Sequence, residues 1–325
     1  MKTAAIAFII SGLFLTIDLS MAAESGYPRK PIEIIVGYAP GGGTDLGARM
    51  IAANSKKFLG QELVIFNKPG GAGRVAMTIL SKAKPDGYTL GGSTDTSIIY
   101  SPHIEPVSYK PLEDFTFITR YGVLNTGISV LTESPFRTFK DLIEFARANP
   151  NKLTISTVGE GGGSQVILEA LTHIERLKIQ IIPFAGAVPA MTALLGGHVM
   201  AASAAGSAYA PHLKAKKVRL LALMGEERIE DCPEVPTLKE LGYSTLIFQS
   251  WYVIVGPKNM EKAVVTKLEE TFRRAMDSPD YIKLAKELEI NADKPLSGDE
   301  LRKALIRRNT NNENLFKTLG MGLKR

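Results

Sequence analysis

Two glycine-rich turns contain the residues of this chain that point most directly to chemistry. The turns span residues 39–45 and 158–164, and each lies between a short β-branched run and an apolar pattern with helical spacing. The first N–H groups of a helix lack intrahelical partners and carry a partial positive charge, and glycine lets a ligand approach them closely. A strand, a glycine-rich turn and a helix therefore predict a carboxylate or phosphate site, and this unit occurs twice.

Neither turn contains Lys or Arg, so the predicted anion is held by neutral hydrogen bonds and the helix dipole rather than by a salt bridge. Thr44, Ser164 and Gln165 add neutral hydrogen-bond partners. Each turn alone could also be an ordinary tight connection, but two in matching positions favour one shared site. On this hypothesis, Gly43→Val and Gly162→Val should each abolish binding and leave the protein folded.

Signatures of enzymes, metals and cofactors are missing from the sequence. It has no Gly-Lys dipeptide for a Walker A loop and no GxSxG elbow, and residues 159–164 lack the last glycine of GxGxxG. Asp45, Asp95 and Glu160 are candidate acid–base groups, but nothing pairs them with a nucleophile. The only cysteine, Cys232, cannot form an intrachain disulfide, and the four histidines lack zinc-site spacing. We therefore expect no catalytic residue, metal or cofactor.

Length and composition are those of a globular protein with two domains or one large one. The 325 residues are 45% apolar and 22% charged, which excludes a disordered, fibrous or polytopic membrane protein. The net charge of +6 comes from scattered residues without a basic block, so a nucleic-acid partner is not expected.

The N-terminus has the three-part pattern of a secretory signal peptide. Met1 and Lys2 precede an apolar run over residues 4–17, and small residues follow. Cleavage after Ala22 or Ala23 is predicted, which makes residues 1–22 the signal peptide. The run is too short for a membrane span, so we expect a soluble protein outside the cytoplasm.

Strand and helix patterns alternate along the mature chain, which predicts α/β architecture with a parallel sheet and helices on both faces. The pattern restarts near residue 128, which indicates a second lobe. We assign residues 27–124 and 251–325 to lobe one and residues 125–250 to lobe two. A ligand cleft is expected between them, with chain crossovers near residues 122–128 and 245–252.

The predicted strands are residues 31–38, 61–66, 88–92, 128–131, 153–157, 179–183, 218–223 and 251–255. The predicted helices are residues 46–59, 75–83, 142–146, 166–177 and 188–195, followed by three at the C-terminus that pack on lobe one. Thr138 and Asp141 have the spacing of a capping box before the third helix.

Several motifs, in this order, cover essentially the whole mature chain. They are Tyr27-Pro28, Pro31-Ile32, Val36-Gly37-Tyr38-Ala39-Pro40-Gly41-Gly42-Gly43-Thr44-Asp45, Asn67-Lys68-Pro69-Gly70-Gly71, Lys84-Pro85-Asp86-Gly87-Tyr88-Thr89-Leu90, Leu194-Leu195-Gly196-Gly197-His198-Val199, Pro211-His212-Leu213-Lys214 and Val235-Pro236-Thr237-Leu238. With these motifs the chain resembles the extracytoplasmic solute receptors of the tripartite tricarboxylate transporter system, also called Bug proteins.

The resemblance implies a two-lobed periplasmic-binding-protein fold of type II that holds a ligand carboxylate between the two turns, partly through ordered water. It also implies a monomeric receptor for a small mono- or dicarboxylate that delivers its ligand to membrane permease subunits. The ligand-binding residues expected from the two turns and the resemblance together are Tyr38, Gly42, Gly43, Thr44, Asp45, Ser93, Thr94, Thr96, Gly161, Gly162, Gly163, Ser164, Gln165, Ala185, Gly186 and Ala187.

The chain departs from the family pattern in lobe two. Gln165 stands where many members have His, the segment Phe184-Ala185-Gly186 lacks a family Lys, and residues 200–205 lack a family Asp. These changes make lobe two less charged, so the ligand of no particular family member can be assigned to this chain. A sensor subunit that presents a ligand to a signalling partner, and a secreted α/β enzyme, remain alternatives.

Overall fold

In a computed structural model the chain forms two β-sheets with helices packed against their faces. The structure describes residues 26–291, 295–318 and 320, so the predicted signal peptide lies outside the described residues. Within the described part, no helix is long and apolar enough to cross a bilayer.

The strands, in chain order, are β1 (Ile32–Val36), β2 (Leu63–Asn67), β3 (Thr89–Thr94), β4 (Phe115–Leu124), β5 (Thr126–Leu131), β6 (Thr154–Val158), β7 (Gln180–Phe184), β8 (Ala201–Ala205), β9 (Val218–Leu223), β10 (Ser250–Pro257), β11 (Ile290–Asn291) and β12 (Leu296–Ser297).

The helices are α1 (Gly43–Leu59), α2 (Arg74–Leu80), α3 (Thr96–Ile99), α4 (Ser101–Ile104), α5 (Phe139–Ala148), α6 (Gly163–Ile174), α7 (Ala187–Leu195), α8 (Gly206–Lys214), α9 (Lys262–Met276), α10 (Pro279–Glu287) and α11 (Gly298–Thr318). The capping box predicted for α5 is confirmed: Asp141 N donates to Thr138 Oγ1, and Thr138 N donates to Asp141 Oδ2.

The first sheet has the strand order β11-β4-β10-β3-β1-β2, with β12 also paired to β4, and the second has the order β7-β6-β8-β5-β9. Both sheets are mixed, so the prediction of a parallel sheet was wrong in part. Strands β1, β2 and β3 are mutually parallel, but β10 runs antiparallel to both of its neighbours. In the second sheet β5 likewise runs antiparallel to both of its neighbours, β8 and β9. Strands β10 and β5 are those by which the chain enters each sheet from the other, and β11 and β12 also run antiparallel to β4.

The chain passes between the sheets twice. It leaves the first sheet at the end of β4 and enters the second with β5, with only Asn125 between the two strands. It returns through residues 224–249 to β10, which is buried along its whole length. Helices α9 and α11 then pack on β4. The strands that carry the glycine-rich turns, β1 and β6, therefore belong to different sheets.

Candidate functional site

A pocket lies where the two sheets face each other, and the space between its walls is about 520 Å³, open solvent included. Its lining residues come largely from the segments that follow strands β1, β3, β6, β7 and β8. The carboxyl ends of strands are where ligands bind in open α/β sheets. The residues that line it are Tyr38, Ala39, Gly42, Gly43, Thr44, Thr94, Thr96, Leu124, Thr126, Val158, Gly163, Ser164, Ala187, Ala204, Ala205, Phe248 and Tyr252.

Three helices begin at this pocket without a side-chain cap. Helix α1 begins at Gly43, α6 at Gly163 and α7 at Ala187, and the first residue of each lines the pocket. Their N-cap residues are glycines, which offer no side-chain oxygen to the first N–H groups. Uncapped N–H groups and the positive ends of several helix dipoles therefore converge on one small space.

None of the described residues that line the pocket carries a charged side chain. Because neither a cation nor a carboxylate faces the space, its electrostatic preference comes from backbone dipoles and hydroxyl groups. Apolar side chains cover much of the remaining wall, among them Leu124, Val158 and Phe248. The pocket can therefore accept a small anion with a partly apolar body.

Two pocket hydroxyls have their protons committed within the protein. Tyr38 Oη donates to Ala72 O at 2.9 Å and lies 2.7 Å from Thr94 Oγ1. The Ala72 carbonyl can only accept, so the single hydroxyl proton of Tyr38 is donated to Ala72 O. Thr94 must therefore donate its own proton to Tyr38 Oη. Burial raises the pKa of Tyr38, which keeps its hydroxyl protonated. Both groups shape the wall, but neither has a proton left for an anionic ligand.

Thr96 is fixed by a similar chain that ends at a buried carboxylate. Its Oγ1 lies 3.0 Å from Ser250 Oγ, and Ser250 donates to Asp95 Oδ1. Asp95 is fully buried and also accepts from Trp251 N at 2.9 Å, while Arg308 Nη2 lies 3.1 Å from Asp95 Oδ2. Burial raises the pKa of Asp95, and the charge of Arg308 opposes that rise. Asp95 thus organises the loop behind the pocket and does not line it.

Two other hydroxyls stand beside the start of α1. A Cβ built on Gly43 would lie 2.0 Å from Tyr252 Oη and 2.8 Å from Ser207 Oγ. The Ser207 hydroxyl is buried, and its hydrogen bond with Tyr252 opposes the rise in the pKa of Tyr252 that burial causes. Because that hydrogen bond uses one of the two hydroxyl protons, the other can be donated to an anion at the α1 N-terminus, either directly or through water.

Within the described residues, no group of acidic, histidine and cysteine side chains could hold a metal ion. Cys232 is buried and free, and burial raises the pKa of its thiol to about 11.

Comparison with known proteins decides the family. The model of the tripartite tricarboxylate transporter family receptor matches residues 47–320. This chain belongs to that receptor family. A family relative from Cupriavidus necator, "UPF0065 protein in gbd 5'region", is 35% identical over 278 residues, which are 86% of this chain and 84% of the relative.

Solved structures of periplasmic binding proteins share the fold. The periplasmic binding protein BugD is 26% identical and superposes with a TM-score of 0.86 over 91% of this chain and 99% of its own. A protein from R. palustris, solved with adipate, is 26% identical and superposes with a TM-score of 0.84 over the same shares of the two chains. The tripartite tricarboxylate receptor described here therefore has the two-lobed type II fold of periplasmic binding proteins.

The receptor brings part of the predicted set together at the pocket. The predicted residues that line it are Tyr38, Gly42, Gly43, Thr44, Thr94, Thr96, Gly163, Ser164 and Ala187. The predicted residues outside the lining are Asp45, Ser93, Gly161, Gly162, Gln165, Ala185 and Gly186.

Several predicted residues outside the lining hold the two sides of the cleft together. Ala39 N donates to Ala185 O at 3.4 Å, and Ser101 Oγ donates to Gly161 O at 3.1 Å. A Cβ on Gly186 would lie 2.9 Å from the Cβ of Ala39, so the missing side chain permits this approach. The second glycine-rich turn therefore touches the first lobe through Gly161, whereas its residues Val158, Gly163 and Ser164 line the pocket.

The other outlying residues stabilise the turns themselves. The Asp45 carboxylate accepts from Gly41 N at 2.9 Å, and Arg49 Nε lies 3.0 Å from both of its oxygens. Burial acts to raise the pKa of Asp45, but these hydrogen bonds outweigh it and lower the pKa. Gln165 Oε1 accepts from Gly161 N at 3.0 Å, and Ser93 Oγ lies 3.1 Å from Ser97 Oγ.

The expected behaviour of two glycine variants needs correction. Valine at Gly43 would collide with the buried Tyr252 ring, and a Cβ on Gly162 would lie 2.2 Å from the carbonyl oxygen of Val158. Both substitutions therefore strain the folded protein, so neither tests the site alone.

Sequence reasoning missed several lining residues, which are Ala39, Leu124, Thr126, Val158, Ala204, Ala205, Phe248 and Tyr252. Some follow from position, because Ala39 and Val158 belong to the turns themselves, and Leu124 and Thr126 flank the first crossover. Phe248 has no local signal: its ring packs on Gly163, where a Cβ would lie 1.9 Å from it, and it belongs to the irregular return segment.

Proposed function

We propose that this protein is a periplasmic receptor that binds a small organic anion, a mono- or dicarboxylate, between its two lobes and delivers it to a membrane permease of the tripartite tricarboxylate type. The observation that carries the proposal is the convergence of uncapped helix N-termini on a pocket without charged side chains. Such a pocket stabilises a carboxylate through backbone N–H groups. The structure of a family relative with adipate supports this ligand class.

The same proposal assigns the remaining parts. Residues 27–124 with 251–325, and residues 125–250, are the lobes that close on the ligand, and the protein acts as a monomer. Cleavage after Ala22 or Ala23 releases it into the periplasm. The predicted residues that line the pocket contact the ligand, and those outside it position the two turns.

A carboxylate screen tests the proposal. The mature protein is screened by thermal shift against acetate, propanoate, benzoate, succinate, glutarate, adipate, malate and citrate, and each hit is measured by calorimetry. We expect at least one acid to raise Tm and bind stoichiometrically, and to be recovered unchanged. Failure of the whole panel, or turnover of the bound acid, would contradict the proposal.

Binding should depend weakly on salt. Because the anion is held by buried dipoles and no charged side chain lines the pocket, mobile ions have little to screen. Raising NaCl from about 20 to 200 mM should change Kd by less than about threefold. The control is the same titration with potassium sulfate, which reveals any direct competition by an anion. A steep fall in affinity with ionic strength would show that basic side chains hold the ligand.

The receptor should reject amino acids that correspond to its acid ligands. No carboxylate lines the pocket, so an ammonium group would be buried without a counter-ion. In the matched pairs succinate and aspartate, glutarate and glutamate, and propanoate and alanine, the amino acid should bind about 100-fold more weakly, or close to 3 kcal/mol. Malate controls for the bulk of the added group, since it carries a neutral hydroxyl there. Equal affinity for the acid and its amino acid would contradict this prediction, because it would require a group in the pocket that accepts hydrogen bonds from the ammonium group.

A further inference from the structure

The outer edge of β9 is open. This strand ends the second sheet, and β5 pairs with its inner side. Among the described residues, backbone hydrogen bonds on the outer side involve only its last residue: Leu223 N donates to Pro236 O at 2.9 Å, and Leu238 N donates to Leu223 O at 2.8 Å. In residues 26–291, 295–318 and 320, no strand pairs with the outer side of residues 218–222. An unpaired strand edge is a template for another extended chain.

A groove runs beside this edge, and the space between its walls is about 1270 Å³, open solvent included. It shares no lining residue with the ligand pocket. The apolar residues of its floor are Val218, Leu220, Leu221, Val235, Pro236 and Leu241. Val218, Leu220, Leu221 and Val235 are at most 6% exposed, whereas Pro236 is half-buried and Leu241 is exposed. The groove can therefore contact apolar side chains of a segment lying along β9 mainly through Pro236 and Leu241.

The rim of the groove is basic. Arg137, Lys140, Lys216 and Arg219 line it, against a single acidic residue, Glu234. Arg219 is held in place because its guanidinium donates to Phe136 O at 3.1 Å and Thr132 O at 3.2 Å. The other three cations are exposed, and Lys140 lies 3.6 Å from Glu144 on the surface of α5.

We propose that this groove docks an extended, acidic segment of another polypeptide, which adds a strand to the outer edge of β9. The open edge supplies backbone hydrogen bonds, the apolar floor accepts alternate side chains, and the basic rim selects acidic residues on the others. A second copy of this chain fits less well, because it would bring the same basic rim against itself. Docking goes beyond ligand binding and uses a different face of the protein.

Three peptides of eight residues test the docking of a strand. The first alternates Val and Glu, the second alternates Val and Lys, and the third is the Val-Glu peptide N-methylated at alternate residues, which keeps its charge and removes backbone donors. We expect fluorescence anisotropy to show at least about tenfold tighter binding of the first peptide than of either other. Hydrogen exchange should then slow at residues 218–222. Equal binding of the N-methylated peptide, or no binding of the acidic one, would overturn the proposal.

Two double variants test the face. Lys140→Glu with Lys216→Glu should weaken the acidic peptide at least about tenfold. Lys84→Glu with Lys283→Glu, which makes the same charge change on exposed residues outside the groove, should leave it within about twofold. If both double variants lost affinity for the acidic peptide equally, the loss would come from the net charge of the protein and not from the groove, which would overturn the proposal. A dimer in ultracentrifugation that the groove variant dissociates would assign the edge to a second copy and also overturn the proposal. Acid binding measured in parallel distinguishes failure of the groove from failure of the ligand pocket.

Discussion

Gly42→Leu should abolish ligand binding and leave the protein folded. Gly42 is buried, lines the pocket and precedes α1, with φ −80° and ψ 168°, a conformation open to any residue. A Cβ there would meet only Ala39 O, at 3.8 Å, so a leucine side chain enters the pocket. Calorimetry with the best acid of the screen should show a loss of at least about 100-fold, or roughly 3 kcal/mol.

The matched control for this variant is Gly225→Leu. A Cβ on Gly225 would also lie 3.8 Å from its nearest neighbour, Glu227 O, and this glycine does not line the pocket. In Gly42→Leu, loss of the glycine N-cap of α1 costs up to about 1 kcal/mol, which lowers the Tm of that variant by roughly 2–4 °C. If Gly42→Leu bound the acid normally, the ligand site would lie elsewhere.

Asp95→Ala should destabilise the protein strongly. The carboxylate is fully buried and receives Ser250 Oγ–H, Trp251 N–H and the Arg308 guanidinium. Its removal leaves a largely buried guanidinium without its counter-ion, which costs about 3–5 kcal/mol. Denaturant unfolding should show this as a lower midpoint with an unchanged slope.

Two further variants separate charge from packing at this site. Asp95→Ala combined with Arg308→Met removes both charges and should recover part of the stability lost in the single variant. Glu62→Ala breaks an exposed ion pair, Lys56 to Glu62 at 2.7 Å, and should leave the midpoint nearly unchanged. If Asp95→Ala were as mild as Glu62→Ala, the buried pair would not stabilise the junction between the pocket loop and α11.

The local strand and helix patterns could be predicted from the sequence because each is coded by neighbouring residues. The strand at 218–223 and the capping box of α5 were located to the residue. Helix α1 begins at Gly43 and not at residue 46, since its first turn contains Gly43, Thr44 and Asp45. None of these residue types has a high helix propensity, so a pattern based on propensity starts the helix late.

Strand β8 could not be predicted in this way. Its sequence is alanine and serine, which do not favour strands, yet all five residues are buried between β5 and β6. The neighbouring strands impose the conformation, and the small side chains leave room for the pocket that Ala204 and Ala205 line. The antiparallel direction of β5 and β10 likewise depends on the chain path between the sheets, which local periodicity does not encode.

The pocket was predictable only where its residues are consecutive. The turns showed their glycines and their lack of charge, but the sequence could not show which face of each turn meets the ligand and which meets the opposite lobe. The directions of the Tyr38 and Thr94 hydrogen bonds are set by the carbonyl oxygen of Ala72, which lies on another segment. Such hydrogen bonds arise from tertiary contacts and have no sequence signal.

The chain has one tryptophan, Trp251, and two guanidinium groups lie within cation–π distance of its ring. The Arg120 and Arg308 guanidinium carbons are 4.7 and 4.3 Å from its ring centroid, and the ring does not line the pocket. Intrinsic emission of the protein therefore comes from a single indole whose surroundings include α11. Its wavelength should follow detachment of the C-terminal helix during unfolding, and it should stay constant when the pocket fills.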